Sequence, residues 1–223
     1  MATRAATSGS GVTSRVTMWL TADEVFGTLA GGDATRTAAP SGESTLGDLI
    51  ADSQLAATSS PETGGAQIAF MNPGGIRADL TAGEVTYGEL FTVQPFGNTL
   101  TVKTMTGEMI RRLLEQQFDN PRAGENRFLQ VSEGFAYSYD LTRPAGSRIV
   151  DITLDGAPDD PNGTYRVTMN SFLASGGDNF TVFNEGTDPL GGAVDIDAFA
   201  AYVEAAGTVQ LPTLGRITRI GTP

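Results

Sequence analysis

The chain has 223 residues, 39% hydrophobic and 18% charged, enough for one large folded domain and inconsistent with wholesale disorder. A formal net charge of −12 makes nucleic-acid polymers and anionic membranes poor partners, although a few focused arginines could still receive a small anion. With no cysteine and no histidine, the chain cannot form disulfides, thiolate zinc sites, Ser–His or Cys–His triads, or HExxH metal centres.

Residues Met1 to Val12 are small and polar and lack the apolar stretch of a signal peptide, and Val16 to Leu20 is too short to supply one. Residues 1–21 are therefore expected to be a tail, and 22–223 the folded domain. No apolar run reaches the ~18 residues of a membrane-spanning helix.

Ala22 to Leu29 is a mixed segment running into a strand. Gly31 to Asp33 then turns the chain, and Asp33 to Gly42 is expected to be extended. Ser44 is a candidate N-cap for a helix ending near Thr58, with Leu46, Leu49, Ile50 and Leu55 as its apolar stripe. After a loop at Pro61 to Gly65, the apolar run Gln67 to Met71 predicts a buried strand. A turn at Ala82-Gly83 is followed by Val85 to Tyr87, a short helix over Tyr87 to Thr92, and a β-branched strand over Thr99 to Thr104.

Thr106 caps a second long helix, Gly107 to Phe118, whose residues Met109, Ile110, Leu113 and Leu114 share a face. A polar loop, Asp119 to Arg127, precedes the short apolar segment Phe128 to Ser132 and a strand over Phe135 to Leu141. Ile149 to Leu154 is expected to form a hairpin with Thr164 to Met169. Asp195 to Ala206 is a third long helix, burying Ile196, Phe199, Ala200 and Val203, and Leu214 to Ile220 is a last strand. Irregular alternation of helices and strands without repeats predicts one α/β (α+β) domain with a mixed sheet flanked by helices.

Three breaks carry chemistry. Asn72-Pro73-Gly74-Gly75-Ile76-Arg77 follows a strand; its paired glycines allow close backbone approach, and Arg77 offers a planar fork for phosphate or carboxylate. Alone it could equally be a tight turn with a surface arginine. Asn170 to Phe180 also follows a strand, pairs Gly176 with Gly177, and adds Asp178 and Phe172. Phe172 either folds onto the core or stands free to bind. Pro95-Phe96-Gly97-Asn98 supplies another loop aromatic. If Phe96 and Phe172 converge, they form a stacking clamp for a flat heteroaromatic ring, where stacking on a base is worth about 1–3 kcal/mol. The acidic run Asp151, Asp155, Asp159 and Asp160 lacks calcium-loop spacing and reads as solvated hairpin charge. Ser44 has no histidine to activate it, so capping is its role.

In this order, Gly42 to Asp52 (G-E-S-x-L-G-D-L-I-A-D), Asn72 to Arg77, Pro95 to Leu100, Thr106-Gly107, Phe128 to Gly134 and Asn170 to Phe180 resemble the C-terminal, substrate-binding domain of the 5′-nucleotidase and UDP-sugar hydrolase family. The resemblance runs from about Phe26 to Ile220. It implies a nucleotide or nucleoside ligand whose base lies between Phe96 and Phe172. Arg77 would contact its phosphate or ribose side, Asn72 would orient it, and Asp178 would take ribose hydroxyls, with Gly74, Gly75 and Gly177 completing the loops. It also implies a preceding metallophosphoesterase domain with two divalent metals. A histidine-free chain cannot carry that pair, so no metal and no catalytic residue is expected here. Family members are mostly exported, which implies an extracellular, cell-wall or periplasmic site. One departure is Pro40, where many members have an anion-contacting arginine; Arg36 lies nearby. The expectation is a recognition domain inactive alone. The alternative is a structural or interaction domain that keeps the fold without its ligand.

Overall fold

The structure is a computed structural model describing residues 21–221; apart from Thr21, the expected tail lies outside the described residues. β1 (Val25–Ala30) leads into extended chain and then α1 (Thr45–Thr58). Ser44 Oγ accepts from Gly47 N at 3.2 Å, satisfying one of the first-turn amides that every helix leaves unpaired. β2 (Ile68–Met71) is buried at every residue, as an unbroken apolar run requires of a central strand.

β3 (Gly83–Thr86) runs directly into α2 (Tyr87–Val93), whose first turn is closed by a capping box of Thr86 and Glu89. β4 (Thr99–Thr106) likewise enters α3 (Gly107–Glu115), with Thr106 Oγ1 accepting from Met109 N at 3.2 Å. β5 (Gln130–Val131), β6 (Phe135–Tyr139), β7 (Ile149–Leu154), β8 (Ala157–Pro158) and β9 (Thr164–Asn170) follow. α4 (Ser171–Ala174), β10 (Thr187–Val194), α5 (Asp195–Ala206), β11 (Thr208–Gln210) and β12 (Ile217–Arg219) complete the order.

The strands form three mixed sheets instead of one, ordered β11-β1-β3, β10-β4-β9-β2-β5 and β12-β6-β7-β8. The five-stranded sheet is central, and both its faces are covered. Ile68 and Phe70 of β2, with Val167 and Met169 of β9, pack into a core shared with α3 and β6; the Phe70 and Phe135 rings meet edge-on at 5.4 Å. Met71 faces the other way, into a core built with α1, α2, α5 and β1. This is the period-two alternation of a strand buried on both sides.

One expected strand pairing needs correction. The Ile149 to Leu154 segment does not pair with Thr164 to Met169. It turns at Asp155 and Gly156, whose φ angles are 51° and 76°, and pairs with β8. Consecutive left-handed residues give the two-residue hairpin turn that matches strand twist, and Asp-Gly is its usual sequence. That frees β9 to lie between β4 and β2. In addition, β10 lies in a stretch to which the sequence assigns no element. It runs through Pro189, Gly191 and Gly192, which an edge strand tolerates because one side needs no ladder bonds.

Candidate functional site

Topology brings the three motif loops together. β2 and β9 are parallel neighbours, paired Phe70 to Met169, so the turns that follow them leave at the same end of the sheet. β4 is antiparallel to β9 with Leu100 opposite Asn170, so the loop before β4 starts from that end too. Ligand sites in sheets of this kind lie where strand ends and loops converge.

Asn72 is buried and extended, and Pro73–Gly75 forms a tight 3-10 turn closed by Ile76 N donating to Pro73 O at 3.1 Å. Gly75 is closely approached: a Cβ there would stand 2.6 Å from Met71 Cε, so any other residue must push the end of that side chain aside. Asn72 Nδ2 donates to Asp178 Oδ2 at 2.8 Å, while Asn72 Oδ1 accepts from Asn170 Nδ2 at 2.9 Å. Asn170 Oδ1 in turn caps α4 by accepting from Leu173 N at 2.9 Å. One buried relay therefore links the turn after β2 to the turn after β9.

Asp178 sits in the left-handed region at φ 56° and ψ 25°, followed by Asn179 at φ 67°. Such backbone persists in non-glycine residues only where the surroundings hold it. Here Asp178 Oδ1 accepts from Arg127 Nη1 at 2.7 Å, and its carbonyl accepts from Asn120 Nδ2 at 2.9 Å. Gly177 lies under the Phe172 ring, where a Cβ would come within 2.5 Å of a ring carbon. Lys103 braces the same loop from β4: its Nζ donates to Ala174 O at 2.8 Å and Phe183 O at 2.9 Å, and burial pulls its pKa down.

These loops enclose a cleft of about 370 Å³ lined by Asn72, Gly74, Gly75, Phe96, Asn98, Phe172 and Asp178. Phe96 is 59% and Phe172 44% exposed, so neither ring folds into the core. Arg77 stands at the rim: its guanidinium lies 5.9 Å from the Phe96 ring centre and donates to Gly74 O at 3.2 Å. Of the eight predicted ligand residues, six line the cleft, Arg77 borders it through Phe96, and Gly177 supports it beneath Phe172.

In the sequence Asn98 stands out only as part of its motif, and nothing marks Arg127, Asn120 or Asn170 as site residues. Asn98 Oδ1 accepts from Ser171 Oγ at 3.4 Å and its Nδ2 donates to Asp195 Oδ2 at 3.4 Å; burial pushes the Asp195 carboxyl up. Arg127 and Asn120 lie in a polar loop whose composition carries no signal; only the fold brings it to Asp178. Arg36 lines a second cavity of about 410 Å³, with Pro73, Asn120 and Arg127, and its Nη1 donates to Ile76 O at 3.4 Å.

Among the described residues, no group of three or more histidine, cysteine, aspartate or glutamate side chains could hold a metal ion. The acidic run is spent locally: Asp159 pairs with Arg111 at 3.6 Å, Asp155 makes the hairpin turn, and Asp151 Oδ2 accepts from Ser138 Oγ at 3.2 Å.

Comparison with known proteins agrees with this arrangement. The family described as "5′-nucleotidase, C-terminal domain" matches residues 25–185. The trifunctional nucleotide phosphoesterase protein YfkN of Bacillus subtilis is 38% identical over 81% of this chain and 13% of its own length. A cell wall protein of Listeria monocytogenes is 35% identical over 75% of this chain and 22% of its own. Among solved structures, a 5′-nucleotidase precursor from Thermus thermophilus superposes with a TM-score of 0.78 at 38% identity, covering 90% of this chain and 40% of that one. The chain thus spans well under half the length of these relatives. By sequence match and by shared architecture, it belongs to the 5′-nucleotidase C-terminal domain family.

Proposed function

We propose that this chain is the nucleotide- or nucleoside-recognition domain of a 5′-nucleotidase-like phosphohydrolase, without catalytic power alone. The observation that carries the reading is the exposure of Phe96 and Phe172 at one cleft that also holds the Asp178 carboxylate. Exposed aromatic rings around a polar anchor suit a ligand with a flat heteroaromatic end and a hydroxylated end. The base stacks between the two phenylalanines, ribose hydroxyls donate to Asp178, Asn72 orients the ligand, and Arg77 faces its phosphate or ribose side.

Bond cleavage is assigned to an N-terminal metallophosphoesterase domain with two divalent metals. This chain's own residues do not fit that metal pair, having no histidine and, among the described residues, no cluster of metal-ligating side chains. The match to a cell wall protein supports a location outside the cytoplasm. Calorimetric titration of the chain with AMP and adenosine tests the reading, and Phe172→Ala and Arg77→Ala locate the site.

A further inference from the structure

We infer that Arg127 is a positioning residue that sets the preference for a sugar bearing two neighbouring hydroxyls over a deoxy sugar. The inference rests on the nucleoside reading above. Among the described residues, Asp178 is the only carboxylate lining the cleft. Its backbone is left-handed, a region uncommon for non-glycine residues, where side-chain contacts help to fix it. Three side chains hold it: Asn72 on Oδ2, Asn120 on the carbonyl, and Arg127 on Oδ1.

Arg127 is the one cation among them, and it does not line the aromatic cleft. It lines the second cavity. Its hydrogen bond to Asp178 Oδ1 is the contact that links it to the cleft. The guanidinium is presented from a braced loop: Arg127 N donates to Gln117 O at 2.8 Å, Asn120 N donates to Glu125 O at 2.8 Å, and Arg148 pairs with Asp119 at 2.8 Å.

A carboxylate has about two acceptor sites on each oxygen. Arg127 takes one on Oδ1 and Asn72 takes one on Oδ2, which leaves one on each oxygen. That is the number a pair of adjacent hydroxyls uses, whereas a deoxy sugar uses one. Without Arg127 the carboxylate is held at Oδ2 alone and can rotate away from the two-point geometry. One-point binding survives that loss.

Titration of adenosine and 2′-deoxyadenosine into the wild type and Arg127→Met is the test. The wild type should favour adenosine by about tenfold, one hydrogen bond to a charged group. Arg127→Met should cut that ratio to about twofold or less, with deoxyadenosine affinity unchanged within about twofold. No preference in the wild type, an unchanged ratio in the variant, or a parallel fall of both affinities would overturn the inference; the last would mark Arg127 as a structural tie between loops. If the wild type binds neither nucleoside at millimolar concentration, the nucleoside reading itself fails. Arg127 is then judged by amide exchange in the ligand-free protein, where Asp178 and Asn179 should exchange about tenfold faster in the variant with α3 unchanged. Unchanged exchange rejects the positioning role. If Arg127→Met does not fold, Arg127→Gln carries both measurements.

Discussion

Asn72 and Asp178, 106 positions apart, are joined by a 2.8 Å hydrogen bond from the buried amide of one to the carboxylate of the other. The bond crosses from the turn after β2 to the turn after β9. It makes the two glycine loops one unit and fixes the carboxylate at the cleft floor. Asn72→Ala removes a partner from both Asp178 and Asn170 at once. Urea denaturation should show a loss of about 1–3 kcal/mol, the usual cost of stranding buried polar groups. In Asn72→Ala/Asp178→Ala the two losses should be less than additive, as expected for residues sharing a network.

Gly177 makes a different demand. Its backbone lies against the Phe172 ring, and a methyl there would stand 2.5 Å from a ring carbon. The ring is half exposed and can swing aside, so Gly177→Ala should cost less than ~1 kcal/mol in stability. It should nevertheless weaken adenosine binding about tenfold, because the stacking face moves with the ring. Equal losses in melting temperature and affinity would place the damage in the fold instead.

Asp48 supplies a pH prediction. It is fully buried in α1, both carboxyl oxygens lack a hydrogen-bond partner, and Arg216 Nε stands 3.8 Å away. Burial first, and then the neighbouring Glu43 carboxyl, push its pKa from 3.8 up to about 9 against the pull of Arg216. A carboxyl whose pKa is raised by folding contributes stability that is fully present below its unfolded pKa and is lost as pH rises through its folded one. The contribution of Asp48 should therefore decline between pH 4 and pH 9. Asp48→Asn removes the ionisable group, so it should flatten that decline and gain on the order of 2 kcal/mol near pH 8. Urea midpoints at pH 5, 7 and 9 for both proteins check this; parallel profiles would show that Asp48 does not titrate in the interval.

How much the sequence revealed depended on the range of the interactions involved. Ser44 and Thr106 cap their helices within four residues, as expected, and α5 begins and ends where its apolar spacing places it. Such elements are governed by local bonds and one buried face, which spacing records. Strand pairing is not local, and the long Ile149–Met169 hairpin failed because the Asp155-Gly156 turn was passed over for a more distant partner. The cleft residues were legible where they sat in glycine turns beside aromatics. Arg127 was not: nothing around it distinguishes an arginine bound to Asp178 from one in solvent, and only the fold joins positions 51 apart.

The central claim is that the Phe96–Phe172 cleft binds a nucleoside. Calorimetric titration of the wild-type chain with adenosine and AMP, repeated on Phe172→Ala and Arg77→Ala, tests it most directly. Saturable binding is expected at or below millimolar concentration. Phe172→Ala should lose about 1–3 kcal/mol for both ligands, and Arg77→Ala should weaken AMP more than adenosine. No heat from either ligand at millimolar concentration, or full wild-type affinity in Phe172→Ala, would contradict it.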